Sequence, residues 1–283
     1  MPNIRHTTVT VAGTDVFVRE AGRPDAPTVV LLHGFPSSSR HYIRLIDKLS
    51  DRWRVIAPDY PGFGESPPLP ESPTFDRLAE TTAAVIDALG VTEYALYLFD
   101  FGAPVGFRVA LAHGNRVRAV VTQNANAYVE GLGDGLTPVA QWWSDPTANE
   151  GSIDWLLSMD GTRTQWTAGA RHVDHIDPSQ ARADQAILDL PGRKAYAKAL
   201  LWDYQNNLPR YEEFQQWLRD RTPALLAIWG RNDPFFAPAG AQAYRRDVPD
   251  AEVVLLDTGH FALEEELDTI AQHVDRILGK HLL

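Results

Sequence analysis

The chain has 283 residues, 44% of them hydrophobic and 22% charged, with 26 basic side chains against 37 acidic ones and no cysteine. This size and composition fit one large core, or one domain carrying an insertion. The net charge of −11 argues against a nucleic-acid or anionic-membrane surface, and the lack of cysteine excludes disulfides, thiolate nucleophiles and cysteine-bound metals.

The opening stretch MPNIRHTTVTVAG has no continuous apolar segment of the signal-peptide kind, and no run approaches the roughly 18 apolar residues of a spanning helix. A cytoplasmic enzyme is the expectation. Residues 7–11 and 15–19 alternate as a short hairpin, and 28–32 (TVVLL) is a continuous apolar run of the kind found in strands buried on both faces. Runs of the same kind lie at 55–57, 94–99, 117–122, 224–229 and 253–256, and helical periodicity covers 39–49, 75–89, 102–113, 238–246 and 261–278. Strands alternating with helices predict an α/β fold, a mostly parallel sheet with helices on both faces. From 125 to 221 there is no strand-like run, but much Trp, Tyr and short helical pattern. The predicted organisation is a core of residues 1–124 and 222–283 with a helical cap, 125–221, inserted after the sixth strand. That places the cap beyond the carboxyl ends of the strands, where open parallel sheets bind ligands.

The run YALYLF (94–99) ends in Asp100-Phe101-Gly102-Ala103-Pro104. Aspartate is depleted in strands and costly where buried without partners. A strand-to-helix turn, however, lifts one side chain above the sheet and points the next backbone N–H at the same place. Asp100 therefore reads as a nucleophile elbow with a carboxylate in place of a serine hydroxyl. Asp233 in WGRNDP follows a later buried run, and His260 in LDTGHF follows the last one, giving the chain order nucleophile, acid, histidine. Asp257 is a rival acid, but on the strand end it should point elsewhere. His33 and Asp59 read as loop-shaping residues. His172 and His175 lack a third ligand nearby and read as a solvated loop rather than a metal site. No metal or cofactor is expected.

The pieces HGFP (33–36), DYPGFGES (59–66), DFGA (100–103), GRND (230–233) and GHF (259–261) together resemble the α/β-hydrolase superfamily over essentially the whole chain outside the cap. An aspartate at the elbow with HGFP upstream is similar to the epoxide hydrolases, with haloalkane and haloacid dehalogenases as nearest relatives. The resemblance implies the α/β-hydrolase fold. It also implies that Asp100 attacks a saturated carbon to form an alkyl ester, which water activated by His260 hydrolyses while Asp233 orients the imidazole. Position assigns the oxyanion hole to the backbone N–H groups of Phe35 and Phe101. Tyr204, in LWDYQN (201–206), resembles one of two cap tyrosines that protonate the leaving oxygen. The stretch expected to hold the other offers Trp142 and Trp143, with Tyr128 as a substitute phenol.

Two departures stand out: Leu98 occupies a place where the family has glycine, and Phe101 a place where it commonly has tryptophan. Phe101 and Pro104 stand where haloacid dehalogenases need arginines, and the segment QNAN (123–126) carries no acid after the sixth strand. Hydrolysis of an epoxide is the leading expectation and hydrolytic dehalogenation its rival. A non-catalytic small-molecule receptor on the same fold is the reading from another class, and the intact Asp100, Asp233 and His260 argue against it. The expected ligands are a small apolar molecule and water, with no nucleic-acid or membrane partner. A homodimer is compatible with the composition.

Overall fold

In the computed structural model, which describes residues 4–282, the two faces of one sheet feed two separate cores. The strands are β1 (Arg5–Val11), β2 (Thr14–Ala21), β3 (Thr28–Leu32), β4 (Arg54–Pro58), β5 (Tyr94–Phe99), β6 (Val117–Gln123), β7 (Ala224–Gly230) and β8 (Glu252–Leu256). Their spatial order is β1-β2-β4-β3-β5-β6-β7-β8. The β1–β2 hairpin and the β2–β4 pair are antiparallel, and all the other pairs are parallel. The continuous apolar runs now have a cause. Val30, Leu32, Leu96 and Leu98 point to one face, and Val29, Leu31, Ala95 and Tyr97 to the other, so every residue of these strands is buried.

Helices α1 (Ile43–Leu49), α2 (Phe75–Ala88) and α3 (Gly102–His113) lie among the first strands, and α10 (Pro238–Asp247) and α11 (Leu263–His281) among the last. Leu78 and Val85 of α2 and Phe107 of α3 join one core, while Leu45 and Ile46 of α1 join Ile270 and Val274 of α11 in the other. Between β6 and β7 the chain runs through α4 (Thr137–Ser144), α5 (Pro146–Leu156), α6 (Met159–Thr167), α7 (Pro178–Leu188), α8 (Arg193–Asp203) and α9 (Tyr211–Arg221), with short 3₁₀ turns and no strand. Several polar contacts tie this helical insertion to the sheet domain. Asp203 accepts the Phe75 N–H at 2.7 Å, Arg210 reaches Asp76 at 2.6 Å, and Arg193 donates to the Ser66 carbonyl at 2.9 Å.

Chain direction across the sheet reverses at β3, which lies between β4 and β5 although β4 follows it in sequence. A crevice forms at such a switch point, beyond the carboxyl ends of the strands. The loops that leave β3 and β5 there carry Phe35 and Asp100. Among the described residues no helix is long and apolar enough to cross a membrane.

Candidate active site

Asp100, the residue after β5, has a φ of 51°, in the left-handed region that costs a non-glycine residue about 1–2 kcal/mol. Its surroundings hold it there. Its N–H donates to the Asn124 carbonyl at 3.3 Å, and its own carbonyl accepts from the Ala103 N–H at 2.9 Å in the first turn of α3. Gly34 lies directly against it, because a Cβ at that position would overlap the Asp100 side chain. The absence of that Cβ lets the Phe35 N–H approach Asp100 Oδ1 to 2.5 Å.

Leu98, two residues earlier, is fully buried beneath this turn. Its Cδ2 occupies the space that a Cβ on Gly106 of α3 would fill. The bulk introduced at 98 is thus accommodated by a glycine on the facing helix, and the elbow keeps its strained φ.

His260 sits in the loop between β8 and α11. Its Nδ1 is 2.8 Å from Asp233 Oδ2, and its Nε2 is 3.9 Å from Asp100 Oδ2. Asp233 leaves β7 in a turn, where its Oδ1 accepts the Phe235 N–H at 2.7 Å. The imidazole is packed by Phe99 and Phe235, with ring centroids 4.8 and 5.2 Å away. With Nδ1 turned to Asp233, Nε2 faces Asp100 across a gap too long for a hydrogen bond.

The electrostatics follow from burial and charge together. Burial pushes the Asp100 pKa up, against the pull of the His260 charge and of the Phe35 and Phe101 N–H groups, and leaves it at about 6. For His260, burial favours the neutral ring, but the charge and hydrogen bond of Asp233 and the charge of Asp100 outweigh it, so its pKa is raised. His33 is wholly buried and burial lowers its pKa to about 4. The neutral ring accepts the Tyr60 N–H at 3.0 Å and packs against Tyr60 and Phe63, which fixes the loop. Asp59 is also structural, accepting the N–H groups of Ser39 and Glu65 at 2.7 and 2.9 Å. Asp257 is exposed and bonded to Asn232, away from His260. His172 and His175 stack at 5.0 Å on an exposed turn.

Asp100 and His260 open into a cavity of about 50 Å³ whose wall includes Phe35, Phe101, Trp143 and Tyr204. The Trp143 indole N–H is already given to the Leu201 carbonyl at 2.9 Å. The Tyr204 ring lies between those of Phe101, at 5.8 Å, and Trp143, at 6.2 Å. Burial, reinforced by the neighbouring Tyr211 phenol and the Asp100 charge, holds the Tyr204 phenol protonated, with its pKa well above the ordinary value.

Two residues expected at the leaving group do not reach this cavity. Tyr128 is fully buried elsewhere and its hydroxyl donates to Asp247 at 2.7 Å, beside Tyr244. Trp142 packs edge-on against Trp202 at 5.0 Å, under the Lys198 ammonium. Adjacent helical residues point about 100° apart, so only one of the Trp142–Trp143 pair can face inward, and it is Trp143.

Asn124 was legible in the sequence only as a missing acid. The structure gives it an active position: its Nδ2 donates to Asp233 Oδ2 at 2.7 Å, and its Oδ1 accepts the Gly230 N–H at 3.0 Å. Gln165 and Phe235 also line the cavity. The adjacency of Phe235 to Asp233-Pro234 was a usable signal, whereas nothing in the sequence marked Gln165.

The family model described as the alpha/beta hydrolase fold matches residues 27–267. The chain belongs to this family. Among its relatives, an uncharacterized hydrolase of Saccharomyces cerevisiae is 41% identical over 272 residues, covering 93% of this chain and 92% of the relative. A cis-3-alkyl-4-alkyloxetan-2-one decarboxylase of Xanthomonas campestris is 25% identical, covering 93% and 92%. Haloalkane dehalogenase 2 of Mycobacterium tuberculosis is 28% identical, covering 89% and 88%. Among solved structures, the epoxide hydrolase CorEH superposes with a TM-score of 0.80 at 18% identity, over 98% of this chain and 99% of that one. Membership of the α/β hydrolases makes the protein a hydrolase of that fold.

Proposed function

We propose that this hydrolase works through an alkyl ester on Asp100 and that its substrate is an epoxide, opened beneath a helical cap formed by residues 125–221. The observation that carries the reading is the pairing of a buried carboxylate on the elbow with a histidine whose free nitrogen stops 3.9 Å short of it. A carboxylate is a poor choice for attacking an ester but a sound one for displacement at saturated carbon, where the enzyme must supply the carbonyl itself.

In the first step Asp100 attacks a ring carbon, the C–O bond breaks, and the oxygen takes the electron pair and the Tyr204 proton. In the second, His260 removes a proton from water and the hydroxide adds to Cγ of Asp100. The developing oxyanion lies beside the Phe35 and Phe101 N–H groups. Collapse expels the diol oxygen, which takes the proton from His260, and the new carboxyl of Asp100 releases the proton that restores the Tyr204 phenol. His260 carries a raised pKa partly because Asp100 is charged. Alkylation removes that charge, so the imidazole becomes easier to keep neutral at the step that needs it as a base.

Tyr204 favours epoxide over halide as the leaving group. An alkoxide needs a donated proton, while a halide needs only N–H or O–H dipoles around the anion. Phe101 offers no such donor, and the Trp143 N–H is committed to Leu201. A single turnover in oxygen-18 water tests the covalent step: label should enter the peptide that contains Asp100, and label found only in product would falsify the ester.

A further inference from the structure

A second depression adjoins the catalytic cavity. It is about 560 Å³, opens to solvent, and runs between α4, α5, α6 and the Pro234–Phe235 turn. The two spaces share five wall residues, Gly135, Val139, Leu156, Gln165 and Phe235. The wide outer groove and the narrow inner cavity therefore adjoin, with these five residues bordering both. Pro138, Trp155, Leu156 and Pro234 give the outer groove an apolar surface, and none of its wall residues is Asp, Glu, Lys, Arg or His. A carboxylate or phosphate would find no counter-charge there. Trp155 is half exposed and lines the groove, extending its uncharged wall into one contiguous apolar surface, the kind of patch that marks a ligand-binding site.

We infer that the outer groove is a binding subsite for a neutral, linear alkyl chain, whose reactive end lies at Asp100. This rests on the alkyl-ester reading and adds the class of substrate: a molecule with a compact electrophilic head and an extended uncharged apolar tail. The inner cavity is too small to bury such a tail, while the groove beside it is large enough and lacks charge. Every methylene withdrawn from water into the groove strengthens binding by about fourfold, the equivalent of ~0.8 kcal/mol.

Gly151 offers a way to fill the groove without disturbing the fold. It lines the groove but not the inner cavity, lies within α5, and a Cβ there meets no atom within 4 Å. Replacing an open helical glycine removes its entropic cost rather than adding strain, so Gly151→Trp should fold at least as well as the parent.

The test measures equilibrium binding of linear 1-alkanols from butanol to dodecanol by calorimetry, beside kcat/KM for the 1,2-epoxyalkanes of the same lengths, on wild type and on Gly151→Trp. The expected result is affinity that rises about fourfold per methylene over the longer members, with Gly151→Trp flattening that rise and leaving the short members unchanged. Affinity independent of chain length, or a variant that weakens short and long members alike, overturns the subsite. If the alkanols show the length dependence and Gly151→Trp removes it while no epoxide is turned over, the subsite stands and the epoxide reading fails.

Discussion

Asn124 and His260 share one oxygen of Asp233: the Asn124 amide donates to Oδ2 at 2.7 Å and His260 Nδ1 contacts the same atom at 2.8 Å. Asn124 follows β6 and Asp233 follows β7, neighbours in the sheet, and the Asn124 side-chain Oδ1 also takes the Gly230 N–H. The acid is therefore held on one side by the residue that follows the neighbouring strand β6 and spends its other oxygen on the Phe235 N–H.

The first prediction follows from that sharing. Asn124→Ala removes a donor that spreads the negative charge of Asp233, so His260 should hold its proton to higher pH. Hydrolysis of the Asp100 ester should slow by on the order of 10-fold near neutral pH, recovering as pH rises. An unchanged rate-versus-pH curve in the variant would mean that the amide serves only to tie the ends of β6 and β7 together.

A second prediction concerns Asp100, whose buried carboxyl sits at about 6 with the His260 charge pulling it down. Alkylation requires the ionised form, so the pre-steady-state rate should fall as pH drops through that value. His260→Gln deletes the favourable charge, and the Asp100 pKa must then rise. Alkylation in the variant should survive, with its acid limb displaced to higher pH, and the ester should accumulate as a mass increase on intact protein. A limb displaced downward contradicts the coupling of the two residues.

The fold was legible because β3, β5, β6 and β7 are buried on both faces, which forces continuous apolar runs that no exposed segment would keep. Burial of this kind is local to the strand and so is written locally. Asp100 was legible for the opposite reason, a charged residue at the end of such a run. The leaving-group side was not: the choice between Trp142 and Trp143 depends on how α4 packs against α8, and the fate of Tyr128 depends on Asp247, 119 residues away. Asn124 could be interpreted only once β6 and β7 were known to be neighbours.

A third prediction addresses Leu98 and Gly106, which share one space between β5 and α3. Gly106→Ala overfills it and should destabilise by about 1–3 kcal/mol, while Leu98→Ala empties it at a cost of about 2–5 kcal/mol. Side chains competing for one space are coupled, so the double variant should lose less stability in urea denaturation than the two single losses added. Strict additivity would show that α3 moves away from the strand instead.

The last prediction separates the residues around the leaving group by what their polar atoms already do. Tyr204 is the cavity phenol, kept protonated by burial, and Tyr204→Phe should slow epoxide opening by on the order of 10²-fold, within the usual range for general acid catalysis. It should leave hydrolysis of a preformed Asp100 ester almost unchanged, since the base proposed for that step is His260. Trp142 packs on Trp202, outside the cavity, and Trp142→Phe should change neither step. Trp143 is different again, because its ring stacks on Tyr204 while its N–H holds the Leu201 carbonyl. Trp143→Phe keeps the stacking surface but frees that carbonyl, so it should disturb the placement of Tyr204 and slow ring opening less than Tyr204→Phe does. Rapid-quench measurement of ester formation and decay in the three variants distinguishes these roles. A loss in Trp142→Phe equal to that in Tyr204→Phe would require the helical insertion to rearrange when substrate binds.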